Sequence, residues 1–243
     1  MSKLNVLITG AGGRIGKHLL PEFQAAYALR TFDLKAVPGD PNAIVANLQD
    51  VEALKRAMAG IDVVLHLAAT SDEAPFLEQL VPNNVVGLYN VLEAAVACGV
   101  RRVIFASTVQ AIAWHGTPDP VSANAAPRPC TLYGATKAFG EAAGCYYHGR
   151  HKLEFLAVRI GWFLDYPEIG KQKLDNFGPK IWLSPKDACR LFKLAIEKPG
   201  LRFAVVNATS RTPKEILSLA EAKAVLGYEP EDSFEALFGQ KKP

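Results

Sequence analysis

The chain lacks most of what would mark a membrane, secreted or nucleic-acid-binding protein. No apolar run approaches the roughly 20 residues that a membrane helix needs. Charge of one sign is not in excess: 27 Lys and Arg stand against 24 Asp and Glu, a net +3. That is too even for the basic face that nucleic acid requires. Cysteine is sparse, and Cys98, Cys130, Cys145 and Cys189 form no CxxC pair. They read as free thiols in a reducing compartment, and no His, Cys, Asp or Glu spacing suggests a metal. The 19 glycines and 16 prolines have no fixed period, which excludes collagen-like and repeat architectures. Nothing resembling a signal peptide precedes the first strand-like segment, so a cytoplasmic location is expected.

What is present is ordinary globular composition. Apolar residues make up 49% and charged residues 21% of 243 residues, enough for one substantial core and incompatible with disorder as the main state. Short apolar runs at residues 3–9, 27–33, 43–47, 61–66, 102–106 and 153–158 read as strands. Helical stretches lie between them, at about 16–26, 50–59, 76–97 and 131–149, several ended by glycine. This alternation predicts an α/β fold, a Rossmann-type doubly wound parallel sheet. After Ile160 the pattern weakens. A helix at 185–197, a strand at 203–207 and a helix at 213–226 are expected there. Residues 1–160 are read as the core. Residues 161–243 are read as a small substrate cap, interleaved with the core in one globular unit.

Three features carry chemistry. Thr9-Gly10-Ala11-Gly12-Gly13-Arg14-Ile15-Gly16 follows the first strand and opens a helix. Its glycines suit a tight turn, close backbone approach to a pyrophosphate and close helix packing. Asp33 ends the second strand, where a carboxylate accepts from ribose hydroxyls and repels a 2′-phosphate, favouring NAD. Tyr133 and Lys137 stand four apart on one helix face. An ammonium beside a phenol favours the phenolate, the form that removes a proton from a substrate hydroxyl. The fifth strand ends in Ser107-Thr108, and all these groups fall on the carboxyl rim of one sheet, where such folds bind ligands. Ser71 and Gln110 are expected at the mouth of the cleft, with Trp114 and His115 in a loop above it. Gly116-Thr117-Pro118 suggests a lid. Lys171, Lys173 and Arg211 read as solvated surface, with contact to an anionic substrate as the alternative; His66 reads as structural and Arg159 as an ion-pair partner.

Together these motifs resemble the extended short-chain dehydrogenase/reductase (NAD-dependent epimerase/dehydratase) family. His66-Leu67-Ala68-Ala69, Asn84-Val85-Val86-Gly87 and Leu226-Gly227-Tyr228-Glu229-Pro230 add to the likeness. The resemblance implies Tyr133 as acid/base, Lys137 as ribose ligand and tuner of Tyr133, and Thr108 as the hydroxyl partner. Asn84 would lie at the nicotinamide end. Gly10, Gly13, Arg14, Ile15, Asp33, Leu67, Ala68, Ala69, Ser107 and Ile160 would line NAD. Asn47-Leu48 stands where the family has Asp-Leu, and the Asn carbonyl can still accept from adenine. Within the family the chain looks most like uronate and related aldose dehydrogenases, which oxidise an anomeric carbon to a lactone. The likeness lies in Ala69–Phe76, Gly87–Asn90 and Val158–Gly161 followed by Ile181–Ser184. It departs at Val109-Gln110, in place of Asn-His, and at Trp162, in place of Ser; Ser71, Thr108, Gln110 and Trp162 are the expected substrate contacts. An NAD-dependent sugar oxidoreductase is implied, with a sugar-nucleotide epimerase or dehydratase as the alternative. A homodimer formed through the two long helices is also implied.

Overall fold

A computed structural model describes residues 3–116, 120–166 and 178–239. The lid reading at Thr117-Pro118 and the surface reading at Lys171 and Lys173 lie outside the described residues. The first half alternates as its hydrophobic pattern dictates: β1 (Asn5–Thr9), α1 (Gly16–Ala26), β2 (Ala28–Asp33), β3 (Ile44–Val45), α2 (Val51–Met58) and β4 (Val63–His66). Then come α3 (Gly87–Ala97), β5 (Arg102–Thr108), α4 (Leu132–His151) and β6 (Glu154–Ile160). The remainder holds β7 (Trp162–Phe163), β8 (Trp182–Leu183), α5 (Pro185–Glu197), β9 (Phe203–Ala208), α6 (Ala220–Leu226) and α7 (Phe234–Phe238).

Seven strands form one sheet in the order β3-β2-β1-β4-β5-β6-β9, every pair parallel. The order reverses between β1 and β4, so their carboxyl ends diverge into the crevice typical of doubly wound sheets. Alternate residues of each strand feed opposite layers. Val6, Ile8, Ile104 and Val158 pack against α1, α5 and α6. Leu7, Val103, Phe105 and Phe155 pack against α2, α3 and α4. Burial on both faces explains why the strands read as continuous apolar runs.

Three segments differ from the sequence reading. The helix expected from residue 76 is wound in π geometry over Phe76–Val86 and becomes regular only at Gly87. Pro82 lies inside it without an N–H to give, and its carbonyl accepts from Gly87 five residues on. The helix expected from 213 begins only at Ala220. Before it, Ile216 O accepts from Val121 N at 2.9 Å and Ser218 N donates to Val121 O at 2.9 Å, which holds the backbone extended. Finally, β9 and α5 lie beyond residue 160 yet complete the sheet and one helical layer. The β7–β8 ribbon reaches the cavity rim, where Trp162, Phe163 and Ile181 are found.

Beneath the site lies a buried ion pair. Arg159 Nη2 meets Glu141 Oε2 at 2.7 Å, and Ser107 Oγ donates to Glu141 Oε1 at 2.6 Å. It joins β5, β6 and α4. Between β6 and β7, a Cβ on Gly161 would lie 2.0 Å from Ile181 O, a backbone atom that cannot rotate away. Gly161→Ala is therefore expected to destabilise the fold by about 1–3 kcal/mol. At Gly149, in α4, an added Cβ meets nothing within 4 Å, so Gly149→Ala is expected to stabilise by about 0.5–1 kcal/mol. Thermal unfolding of the two variants checks both signs.

Candidate active site

The glycine turn shows why its spacing matters. Gly10 has φ +72°, and a Cβ there would come within 2.6 Å of Ala68 N. At Gly16 a Cβ would sit 2.3 Å from Ala11 O, so helix α1 could not close onto the turn. Helix α1 begins with no capping side chain and no acid in its first turn. Its N-terminal N–H groups and positive dipole end suit an anion such as a pyrophosphate. Asp33 Oδ2 accepts from Gly12 N at 3.0 Å, which ties the end of β2 to the turn.

Two cavities flank this turn. One, of about 640 Å³, contains Gly10, Gly13, Arg14, Ile15, Leu67, Ala69, Ser71, Ser107, Thr108, Gln110, Tyr133, Lys137, Ile160 and Trp162 in its lining. The other, of about 340 Å³, includes Asp33, Asn47, Leu48 and Ala68. Gly10, Gly13, Leu67 and Ala69 line both, so the two form one long cleft over the switch point. Asn47 Oδ1 already accepts from Gln49 N at 3.0 Å. The cleft has the shape, glycine cradle and anion-ready helix end that a dinucleotide requires.

One expected member lies elsewhere. Asn84 lines neither cavity. Its carboxamide accepts from Thr70 N at 2.8 Å and donates to Thr70 O at 2.9 Å and to Thr136 Oγ1 at 3.2 Å. It clamps the loop after β4 to α4. Ser107 touches the cavity, but its hydroxyl is turned to Glu141, leaving Thr108 to face Tyr133. Gln110 is a strut as well as a lining residue: its Nε2 donates to Asp72 Oδ1 at 3.2 Å and its Oε1 accepts from Thr131 Oγ1 at 2.7 Å. Thr131 caps α4 by accepting from Gly134 N at 2.9 Å. Trp114 is 68% exposed and does not line the cavity, although Ala113 does. Asp72, Thr131, Phe163 and Ile181 line it without having been singled out from sequence.

The electrostatics are those of a dry site. Burial pushes the Tyr133 phenol above its ordinary value, the Asp72 charge pushes the same way, and the hydrogen bond with Thr108 opposes them. Lys137 lies beside Tyr133 on the same helix face. It is itself desolvated, and burial lowers it to about 7. Its ammonium stands 4.8 Å from the Phe105 ring centroid and 5.6 Å from that of Tyr133. Below them His66 pairs with Thr9 Oγ1 at 2.7 Å and is held down to about 3, by burial first and Lys137 second. The imidazole is thus neutral and structural.

The family model of the NAD dependent epimerase/dehydratase family matches residues 6–163. The chain is 33% identical to an NAD-dependent glucose-6-phosphate dehydrogenase of Haloferax volcanii, over 94% of this chain and 93% of that protein. It is also 33% identical to an L-arabinose 1-dehydrogenase (NAD(P)(+)) of the same organism, over 94% and 96%. A uronate dehydrogenase from Agrobacterium tumefaciens, solved as a tyrosine-to-alanine variant with NAD, matches with TM-score 0.86 and 30% identity over 99% of this chain and 91% of that one. The chain belongs to the NAD-dependent epimerase/dehydratase family.

The depressed Lys137 makes a stability prediction. Its folded value, about 7, lies below the ordinary 10.5, so between those values the unfolded chain binds a proton that the folded chain does not. Stability rises with pH across that window, and the cost of burying Lys137 is fully present at and below its lower edge. Lys137→Met is expected to stabilise the protein by a few kcal/mol at pH 6, order of magnitude, and by less at pH 9. Thermal unfolding at the two pH values measures it; equal shifts would show that the lysine is not desolvated.

Proposed function

We propose that the protein is an NAD-dependent dehydrogenase that oxidises a small sugar at its anomeric carbon to the lactone. The observation that carries this reading is the convergence of Tyr133, Thr108 and Lys137 on the same cleft as the glycine turn. The dehydrogenases of sugars among its relatives support it. Arg14, Ile15 and the glycine turn hold the pyrophosphate, while Asp33 takes the adenosine ribose, with Asn47, Leu48 and Ala68 beside the adenine. Leu67, Ala69, Ser107 and Ile160 line the nicotinamide side, where bound NAD supplies a hydride acceptor and a positive ring.

Thr108 holds the substrate hydroxyl against Tyr133, and Tyr133 takes its proton. Lys137 binds the ribose, whose hydroxyls give its ammonium acceptors beside the Phe105 and Tyr133 rings. Asn84 acts at one remove, fixing Thr70 and the helix that carries Tyr133. Ser71, Gln110 and Trp162 contact the sugar. The protein works as a homodimer joined through the helix of residues 76–97 and α4, a reading supported by their exposed Leu77, Tyr89, Phe139 and Tyr146. The four free thiols support a cytoplasmic setting; among the described residues no helix is long and apolar enough to cross a membrane.

Incubation with NAD and free aldoses is expected to give sustained reduced-nicotinamide absorbance. Tyr133→Phe lowers kcat by about 100-fold or more. Because burial raises the phenol, kcat/KM rises with pH from 6 to 9 in the native enzyme. Turnover of a nucleotide sugar with no net NADH would instead favour the epimerase or dehydratase reading. Static light scattering measures the dimer, and Tyr146→Glu is expected to shift it toward monomer.

A further inference from the structure

The described lining of the larger cavity contains three formally charged side chains: Arg14, Asp72 and Lys137. Arg14 belongs to the glycine turn at the pyrophosphate end. Lys137 is buried under Tyr133, against the Phe105 ring. The substrate end therefore presents one charge among the described residues, and it is negative. The surfaces around it are apolar or neutral, notably Trp162, Phe163, Ile181 and Thr131.

Asp72 is held in place. Its backbone lies in the left-handed region at φ 60°, which Asp and Asn adopt more readily than other non-glycine residues. Gln110 donates to Oδ1 at 3.2 Å, and Gln110 is itself fixed by Thr131 at the cap of α4. The neighbouring Glu73 accepts from Leu132 N at 2.9 Å, pinning the same loop to the same helix. The loop thus cannot swing the carboxylate away without releasing the start of the helix that carries Tyr133. Asp72 is exposed at the mouth of the cleft, and a carboxylate so placed is an acceptor for sugar hydroxyls and a repellent for a second anion. The charge already reaches the reacting centre, since it is one of the causes that raise the Tyr133 phenol.

We infer that Asp72 is a specificity determinant, which makes the substrate an uncharged aldose and disfavours uronates and sugar phosphates. This rests on the proposed sugar-dehydrogenase activity and selects within it. Asp72 accepts from the hydroxyls of the sugar, and Gln110 positions it.

The test compares kcat/KM with NAD for D-glucose and D-xylose against D-glucuronate and glucose 6-phosphate, in the native enzyme and in Asp72→Asn. Asn tolerates the left-handed backbone, so the variant keeps the loop. The native enzyme is expected to prefer the neutral sugar by about tenfold or more, and Asp72→Asn to shrink that ratio by about tenfold, mainly through KM for the anion. Calorimetric binding of the same sugars to Tyr133→Phe loaded with NAD gives the preference without turnover. Equal or better use of glucuronate or glucose 6-phosphate by the native enzyme overturns the inference, as does an unchanged ratio in Asp72→Asn. Absence of both turnover and binding for all of these sugars would defeat the dehydrogenase reading itself.

Discussion

Everything at the site depends on how closely α4 lies on the sheet. At Gly140 an added Cβ would come within 2.4 Å of the Phe105 ring, and at Gly144 within 2.1 Å of the Phe155 ring. At Gly134 it would meet Gln110 O at 2.6 Å. Gly140 and Gly144, four apart on one helix face, therefore let aromatic rings of β5 and β6 fill the space that side chains would occupy, and Gly134 lets the backbone at Gln110 come close. Helical glycines are unfavourable by propensity, each by about 1 kcal/mol relative to alanine, so they mark a packing requirement. The approach brings Tyr133 against Thr108 and buries Lys137 over Phe105. It also encloses the Glu141–Arg159 pair that crosses the interface. A buried pair of this kind is weak evidence for stability, but its loss would leave one uncompensated charge in the core. Its role here is registry: it fixes β5 and β6 relative to the helix, and turns Ser107 inward so that Thr108 faces the cleft.

The same burial sets the chemistry. Desolvation raises the phenol and lowers the ammonium, so the two groups of the pair drift away from the charged forms that proton removal uses. On the proposed reading, the charge of a bound cofactor and the hydroxyls of its ribose would draw both groups back toward those charged forms.

Much of this was readable from residues because it rests on backbone requirements. Thr9–Gly16 announced itself since only glycine fits where the turn meets Ala68 and Ala11. The strands were readable because double-sided burial gives unbroken apolar runs. Thr108 is preferred to Ser107 by the family resemblance, because its separation from Tyr133 matches the family's, and strand alternation gives the physical ground for that choice. Contacts between distant segments were not readable. The left-handed Asp72 is tied to Gln110, 38 residues away. The extended stretch before α6 is set by its pairing with Val121, which overrides local helix propensity. Asn84 was placed at the cofactor by likeness to a family. Its hydrogen bonds to Thr70 and Thr136 follow from the π-wound turn, which no periodicity signals. The β7–β8 ribbon is two residues per strand, too short for a pattern of period two.

The most direct test of the account is a deuterium-transfer experiment with an aldose labelled at the anomeric carbon and an excess of NAD. Oxidation at that carbon with Tyr133 as base predicts deuterium in the released reduced nicotinamide, one equivalent of lactone per equivalent of NADH, and loss of both in Tyr133→Phe. Reduced nicotinamide without label, or transfer that persists undiminished in Tyr133→Phe, would contradict it.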